Sequence, residues 1–268
     1  LVTGSAGSGS DVQTRLIAAR ISVPLGQPVV VDNKAGLLAA DAVSKAAPDG
    51  YTLIINGGFW RHKFVQKVPY DGMTDFSPIT IVSRDVNAIA VHPSVPAKSI
   101  KEFIALVKAR PGELNYATGS TGSTGHLASE LFRTMAGLNM VWVPHKGSAA
   151  AVTSLVSGQV QMLLLDVGLL VPLSKAGKVR ALAVTSAEPT ALAPDLPTVA
   201  ATGLPGYEAV GMTGMFAPAK TPAAIINRLN QETVRVLRSA EAKDAFFKLG
   251  AEVADNTPEQ FAALLRAD

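Results

Sequence analysis

The stretch "LNYATGSTGSTGHLASELFRTMAG" at residues 114–137 contains a strand signal, a loop signal and a helix signal in immediate succession. Residues 114–118 predict a β-strand, and the glycine, serine and threonine residues of "GSTGSTGH" at 119–126 predict a loop. Four apolar residues then recur at helical spacing and are predicted to be buried on one helix face: Leu127, Leu131, Phe132 and Met135. A strand, a short loop and an amphipathic helix in this order are typical of an α/β protein.

The same alternation extends over most of the chain. Strand-like runs lie at residues 28–33, 51–56, 76–82, 87–93, 114–118, 140–145, 160–166, 179–185 and 209–218. Several of them are apolar on both faces, which indicates strands of a parallel sheet that helices cover on both sides. A second glycine loop, "GSAGSGSD" at residues 4–11, also precedes an amphipathic helix. Capping patterns predict helix starts at Ser10, Ser99, Thr221 and Thr257.

Composition limits the classes of function. The chain has 268 residues, a net charge of only +3, and 24 scattered Lys and Arg residues that form no basic stripe, so nucleic acid is not predicted as a partner. It has no cysteine, which excludes disulfides, thiol catalysis and cysteine metal sites. No apolar run approaches the roughly 20 residues that a membrane-spanning helix needs.

Two Pro- and Ala-rich links, near residues 93–100 and 217–222, suggest domain boundaries. If the chain crosses between domains at both links, residues 100–218 form one domain, and residues 1–99 combine with 219–268 to form the other. A ligand cleft is then expected between the two domains.

Neither glycine loop matches a motif of nucleotide binding or nucleophilic catalysis. Both lack the lysine of a phosphate loop, and Val12 stands where a dinucleotide fingerprint needs its third glycine. The nucleophile elbow G-x-S-x-G is also absent. The four histidines have no short metal-ligand spacing, so we predict no metal and no cofactor.

Anion capture remains as a role for the loops. A helix N-terminus offers unsatisfied N–H groups and a partial positive charge, and a loop of small hydroxyl residues lets a carboxylate approach closely. The alternative for each loop is a flexible turn that caps its helix. Because two such loops occur, one in each predicted domain, we favour binding.

Three further positions are candidates. Asp11 is either a catalytic base or an ordinary acidic residue in the first turn of a helix. Asp166 ends an apolar strand where α/β proteins commonly bind ligands, although it could simply cap a helix. In "GGFWRHK" at 57–63, Gly58 and Phe59 end a strand, and the aromatic side chains either line a pocket or pack in the core.

Long segments of the chain match a known family in order. They include "LGQPVVVDNKAG", "DAVSKAAPDGYTL", "VHPSVPAKSIKEFIALVKARPGELNYATG", "GHLASELFRTMAGLNMVWVPHKGSAAAVTSLVSGQVQM" and "LAPDLPTVAATGLPGYEAVG". Together they resemble the Bug-type substrate-binding proteins of tripartite tricarboxylate transporters nearly from end to end.

This resemblance implies a periplasmic solute-binding protein, not an enzyme, with two α/β domains that close on a ligand like a flytrap. It implies a small organic carboxylate ligand, membrane permease subunits as partners, a monomeric state and a signal peptide, which the sequence starting at Leu1 does not include. The implied ligand contacts lie in the first loop (Ser5, Gly7, Ser8, Ser10 and Asp11) and in the second loop (Thr118, Ser120, Thr121, Gly122 and Ser123).

The chain also departs from the family pattern. A glycine-rich segment usual in the family is replaced by "AGLLAADA" at 35–42, His145 replaces a usual tyrosine, and Met212-Thr213 replaces a usual aromatic residue. With "GGFWRHK" in place of small polar residues, these differences suggest a bulkier acid, either a dicarboxylate or an aromatic one. Two alternatives stay open: a carboxylate-processing enzyme that uses Asp11, His126 or His145, and a sensor subunit that presents the bound acid to a signalling partner.

Overall fold

The computed structural model describes residues 1–3, 9–34, 37–64, 67–119, 123–145 and 147–267. The strands within these ranges are β1 (Val2–Thr3), β2 (Asp32–Asn33), β3 (Ile54–Gly57), β4 (Phe76–Val91), β5 (Asn115–Thr118), β6 (Val141–Pro144), β7 (Met162–Asp166), β8 (Arg180–Val184), β9 (Val210–Pro218) and β10 (Glu252–Val253). The α-helices are α1 (Gly9–Leu25), α2 (Leu38–Ser44), α3 (Ile100–Ala109), α4 (Thr124–Ala136), α5 (Ser148–Val156), α6 (Val167–Lys175), α7 (Val199–Thr202), α8 (Ala223–Leu237), α9 (Ala240–Lys248) and α10 (Pro258–Ala267). A 3-10 helix covers Phe59–Phe64.

The chain forms two compact units. Unit 1 contains Leu1–Arg84 and Met212–Asp268, and unit 2 contains Asp85–Gly211. The sequence predicted boundaries after residues 99 and 218, but the units change earlier, after Arg84 and after Gly211. The chain passes from one unit to the other inside the long strands β4 and β9 rather than in the Pro- and Ala-rich links.

Unit 1 has a mixed sheet. Strand β1 lies between β2 and β3, parallel to both, and β9 pairs antiparallel with β3. Helices α1 and α8 pack together on a core that includes Ile17, Ile55 and Met215. On the other side, an aromatic core joins Phe59, Trp60, Tyr70, Phe76, Phe216 and Phe261.

Unit 2 also has a mixed sheet, in which β5 pairs parallel with β6 and β7 while β4 pairs antiparallel with β7 and β8. Alternate residues of β7 enter two different cores: Met162 and Leu164 pack with α3 and α4, whereas Leu163 and Leu165 pack with α5 and α6. This period of two confirms that helices cover both faces of the sheet, as the apolar strands predicted.

The main difference in the sheets concerns β4. The sequence predicted separate strands at 76–82 and 87–93, but one 16-residue strand, Phe76–Val91, covers the first and most of the second. The intervening residues, Ser83 to Val86, are mostly polar yet include no glycine or proline that would break a strand. The antiparallel β4 and β9 make both sheets mixed instead of parallel.

The helix predictions were confirmed in part. The side chain of Ser99 accepts a hydrogen bond from Glu102 N, and Thr257 and Gln260 form a reciprocal capping box. The predictions for Ser10 and Thr221 were wrong: α1 already begins at Gly9, and the residue that precedes α8 is Pro222.

The buried face of α4 also differs from the prediction. Phe132 is fully buried as expected, but Leu131 and Met135 are exposed and Leu127 is half-buried. The face that contacts the sheet instead carries small residues, including Gly125, Ala128 and Ser129, because α4 lies close to the sheet. None of the helices in the described ranges is long and apolar enough to cross a membrane.

Candidate functional site

In unit 2, polar residues collect where parallel strands end. Strands β5, β6 and β7 run in the same direction, so their carboxyl ends meet at one edge, where α/β proteins bind ligands. Thr118 ends β5 and Asp166 ends β7. The residues two positions earlier, Tyr116 and Leu164, belong to the core under α3 and α4. Thr118 and Asp166 therefore lie on the sheet face that α4 covers.

The N-terminus of α4 lies at this edge. Ser123 is its N-cap, and its hydroxyl oxygen accepts a hydrogen bond from His126 N at 3.2 Å. A Cβ atom at Gly125 would lie 2.7 Å from the carbonyl oxygen of Leu164, so glycine permits this close approach. The first N–H groups of a helix lack intrahelical partners, which makes this N-terminus suited to an anion.

An aromatic pair lies beside the same N-terminus. The rings of His126 and Trp142 stack at 4.4 Å with an interplanar angle of 13°, and Trp142 Nε1 donates a hydrogen bond to the buried Thr118 Oγ1 at 3.0 Å. Burial lowers the pKa of His126 below its usual value, although the carboxylate of Glu130 opposes this effect. The imidazole is therefore neutral near pH 7 and offers hydrogen bonding and ring contact rather than charge.

The carboxyl group of Asp166 has a perturbed pKa. Burial, with repulsion from Asp85, raises its pKa to about 6. Although Asp166 precedes α6, its side chain makes no capping hydrogen bond, which argues against the helix-capping alternative. Asp85 is close to the start of α4, since a Cβ atom at Gly211 would lie 3.1 Å from Asp85 Cβ and 3.2 Å from Thr124 Cγ2.

His145 follows β6 and is half-buried. Its Nδ1 atom donates a hydrogen bond to the carbonyl oxygen of Val143 at 2.9 Å. This bond fixes the ring and leaves Nε2 as the nitrogen that can contact a ligand.

The corresponding edge of unit 1 is also polar. Asp11, only 3% exposed, accepts hydrogen bonds from Asn33 Nδ2 at 2.8 Å and from Arg15 Nε at 3.2 Å. The carbonyl oxygen of Ser10 accepts a bond from Thr14 Oγ1 at 2.6 Å. Asp11 is thus held in an ion pair at the start of α1, and this arrangement favours a structural role over that of a catalytic base.

Gly58 and Phe59 follow the end of β3. Gly58 has a φ of +72°, a conformation that glycine adopts readily, and no atom lies within 4 Å of where its Cβ would be. Phe59 is 1% exposed and packs edge-on against Trp60 and Phe76. The interpretation of Phe59 as part of a pocket wall is therefore corrected. Its large apolar ring forms part of the core of unit 1.

Six of the predicted ligand contacts lie outside the described residues: Ser5, Gly7, Ser8, Ser120, Thr121 and Gly122. Within the described ranges, no group of three or more His, Cys, Asp or Glu residues could hold a metal ion.

Sequence reasoning missed three residues of unit 2: Asp85, Asn87 and Trp142. Asp85 and Asn87 lie two apart just before an apolar run, so they share one face of a strand. That spacing was the available signal, and the prediction of a strand starting only at residue 87 concealed it. Nothing in the sequence indicated that Trp142 would stack on His126.

Comparisons with known proteins define the class of the molecule. Its mixed α/β fold in two units is that of periplasmic binding proteins, as in the solved periplasmic binding protein BugD, which is 30% identical with a TM-score of 0.82 over 99% of this chain and 92% of that chain. The chain belongs to the tripartite tricarboxylate transporter receptor family (TctC), whose model matches residues 13–268. The Bug-type resemblance is confirmed.

Other relatives support this assignment. Protein BugT of Bordetella pertussis is 33% identical over 95% of this chain and 80% of its own length. A Rhodopseudomonas palustris protein solved with adipate is 35% identical, with a TM-score of 0.84 over 100% of this chain and 92% of that chain. MatC of the same organism, solved with bound malate, is 30% identical, with a TM-score of 0.84 over 100% of this chain and 95% of that chain.

Proposed function

We propose that this receptor captures a small organic carboxylate, with a dicarboxylate or an aromatic carboxylate as the favoured class. The observation that carries the proposal is the N-terminus of α4, where an N-cap serine, a neutral histidine and the ends of parallel strands come together in unit 2. Relatives that hold adipate and malate support a carboxylate as the ligand class.

The anion is held without a basic side chain. Ser123 and His126 lie in the first turn of α4, where the positive end of the helix dipole attracts a carboxylate, and Trp142 contributes an apolar ring beside them. At the start of α1 in unit 1, Ser10 and the residues of the first loop are proposed as further ligand contacts. Because backbone donors bind the charged oxygen atoms, the same acid with its carboxylate converted to an amide should bind poorly.

The ligand is released unchanged. Asp11, one of the three acid/base candidates of the enzyme alternative, is ion-paired with Arg15, and the family is one of receptors. We further propose that the protein acts as a monomer in the periplasm and delivers its ligand to the membrane permease subunits of a tripartite transporter.

Thermal-shift measurements on ligand-stripped protein test the ligand class. The panel contains aliphatic and aromatic mono- and dicarboxylates together with their amides. An acid at a hundredfold excess over its dissociation constant stabilises the folded protein by about 2.7 kcal/mol, which is a measurable rise in melting temperature. Stabilisation by acids but not by amides supports the proposal, and equal stabilisation by both contradicts it.

A pair of matched variants tests the location. Ser123→Ala removes the hydroxyl group that caps α4, and Ser99→Ala removes the one that caps α3. Each of these hydroxyl groups accepts a hydrogen bond from a backbone N–H at 3.2 Å. We expect a similar loss of stability in both, about 1 kcal/mol. Only Ser123→Ala should also weaken binding of the best acid. Equal affinities in the two variants would place the anion elsewhere.

Prolonged incubation with the best acid separates a receptor from an enzyme. Recovery of the acid unchanged is the expected result, and a new product would favour the enzyme alternative.

A further inference from the structure

The side-chain nitrogen atom of Asn87 is a buried donor without a hydrogen-bond partner in the part of the chain that the structure describes. Its side chain is 2% exposed, and its Nδ2 atom makes no hydrogen bond with any residue that the structure describes. Two other buried polar atoms there lack hydrogen bonds, on Asp41 and Glu232, but both carboxylates form ion pairs, with Lys45 and with Arg235. A buried donor without an acceptor is costly. Asn87 is therefore unusual among the described residues.

The register of the sheet places this amide beside the candidate ligand site. Asn87 lies directly opposite Asp166 in the antiparallel pair of β4 and β7, so the two side chains are neighbours on one face. That face is the one covered by α4, because the next residue of β4 on the same side, Ile89, belongs to the core under α3 and α4. Asp85, two residues before Asn87, is on this face as well.

The two neighbours require complementary groups of a ligand. Asn87 Nδ2 is a donor and needs an acceptor, whereas the carboxylate of Asp166 accepts hydrogen bonds and needs a donor. A ligand carboxylate at this point would add a third negative charge to Asp85 and Asp166, which is unfavourable. An ammonium group would satisfy Asp166 but not Asn87. A hydroxyl group satisfies both, because it donates one hydrogen bond and accepts another.

We propose that Asn87 and Asp166 form a subsite for one hydroxyl group of the ligand, in which Asn87 Nδ2 donates to the hydroxyl oxygen and the Asp166 carboxylate accepts from the hydroxyl hydrogen. This inference rests on the proposed function, since it assumes a carboxylate bound at the strand ends of unit 2. Its consequence is specificity: a hydroxy acid binds more tightly than the same acid without the hydroxyl group.

The subsite also predicts a pH dependence. Strands β4 and β5 beside β7, and helices α4, α5 and α6 against it, carry these titratable or charged groups within unit 2: Asp85, Tyr116, His126, Glu130, Arg133 and Lys175. Helix α3, which packs on the same core, adds Lys101, Glu102 and Lys108. Burial raises the pKa of Asp166 to about 6, and Asp85 contributes to this rise. Above that pH the ionised carboxylate is the stronger acceptor, so the preference for the hydroxy acid should be larger at pH 8 than at pH 5.

Calorimetric titration with matched pairs of acids tests the proposal. The pairs are malate and succinate, 2-hydroxyglutarate and glutarate, 2-hydroxyadipate and adipate, and mandelate and phenylacetate. For at least one pair we expect the hydroxy acid to bind roughly tenfold to a hundredfold more tightly at pH 8. Asn87→Leu, which replaces the amide with an apolar group of similar size, should abolish this preference, so that the two acids of a pair bind with equal affinity. Asp166→Asn should remove the dependence of the preference on pH.

The outcomes separate this inference from the function on which it rests. Equal affinities within every pair that binds, or a preference that survives in Asn87→Leu, would overturn the subsite and leave the carboxylate receptor standing. A preference that grows at pH 5 would also overturn it, in favour of a ligand carboxyl group bound in its protonated form. Absence of binding by every acid, here and in the thermal-shift panel, would overturn the proposed function together with the subsite.

Discussion

Asp166→Asn should stabilise the protein without ligand, by an amount that grows as the pH rises from about 4 and levels off above about 6. Burial, together with Asp85, raises the pKa of this carboxyl group from 3.8 to about 6. In the folded state the group therefore binds its proton more tightly than it does in the unfolded chain. The resulting stabilisation is fully present below about pH 4 and is lost as the pH rises through about 6.

The size of the effect follows from the two pKa values. A rise from 3.8 to about 6 corresponds to about 3 kcal/mol between the protonated and ionised forms. At pH 7.5 the wild-type protein lacks this contribution, because Asp166 is ionised and lies near Asp85. Asparagine has nearly the same shape and carries no charge. The free energy of unfolding of Asp166→Asn should thus exceed that of the wild type by up to about 3 kcal/mol at pH 7.5, and by little at pH 4.

Urea denaturation of both proteins between pH 4 and pH 8, followed by circular dichroism, measures this difference. Asp195→Asn is the matched control, because it makes the same change at an exposed carboxylate of unit 2. The control should follow the wild type across the range. A difference between Asp166→Asn and the wild type that is independent of pH, or a variant that is less stable at pH 7.5, would refute the reasoning.

The remaining predictions concern packing, the aromatic pair and pH. Gly125→Ala should lower stability by about 1–3 kcal/mol and weaken acid binding, because its Cβ atom would meet the Leu164 carbonyl oxygen; unchanged melting temperature and affinity would contradict this. Phe132→Ala, in the core of unit 2, should lower the free energy of unfolding measured by urea denaturation by about 3–5 kcal/mol. A decrease of less than about 1 kcal/mol would contradict close packing around this ring. Trp142→Phe should remove the hydrogen bond to Thr118 and lower the free energy of unfolding by about 1 kcal/mol. The phenylalanine ring should still stack on His126. NMR titration of His126 should give a pKa below 6.5, and a higher value would indicate a charged ring at the site.

Much of the fold was predictable because its signals are local. Apolar runs of β5 and β7, the capping serine before α3 and the capping box before α10 each depend on a few neighbouring residues. The predictions that were wrong concern features that depend on contacts between residues far apart in the chain. The continuity of β4 comes from its pairing with β7, β8 and β10, and the buried face of α4 is determined by how closely Gly125 lets the helix approach β7.

The site shows the same division. The N-terminus of α4 and the position of Asp166 could be predicted, since a loop before a helix and a charge after an apolar strand are visible in the sequence. For Phe59 the sequence left a pocket wall and core packing open, because the aromatic core in which its ring packs is formed by residues far apart in the chain. The juxtaposition of Asn87 and Asp166 depends on strand register, which only the pairing of β4 with β7 reveals.

Calorimetric titration of ligand-stripped protein with a dicarboxylate and with its diamide tests the central claim most directly. Adipate and malate are the first acids to use, because relatives hold them, and the acids of the thermal-shift panel follow. We predict saturable binding of at least one acid, with no detectable binding of its amide at the same concentration. Binding of the amide as tightly as the acid, or no binding by any carboxylate, would contradict the account of this protein as a carboxylate receptor.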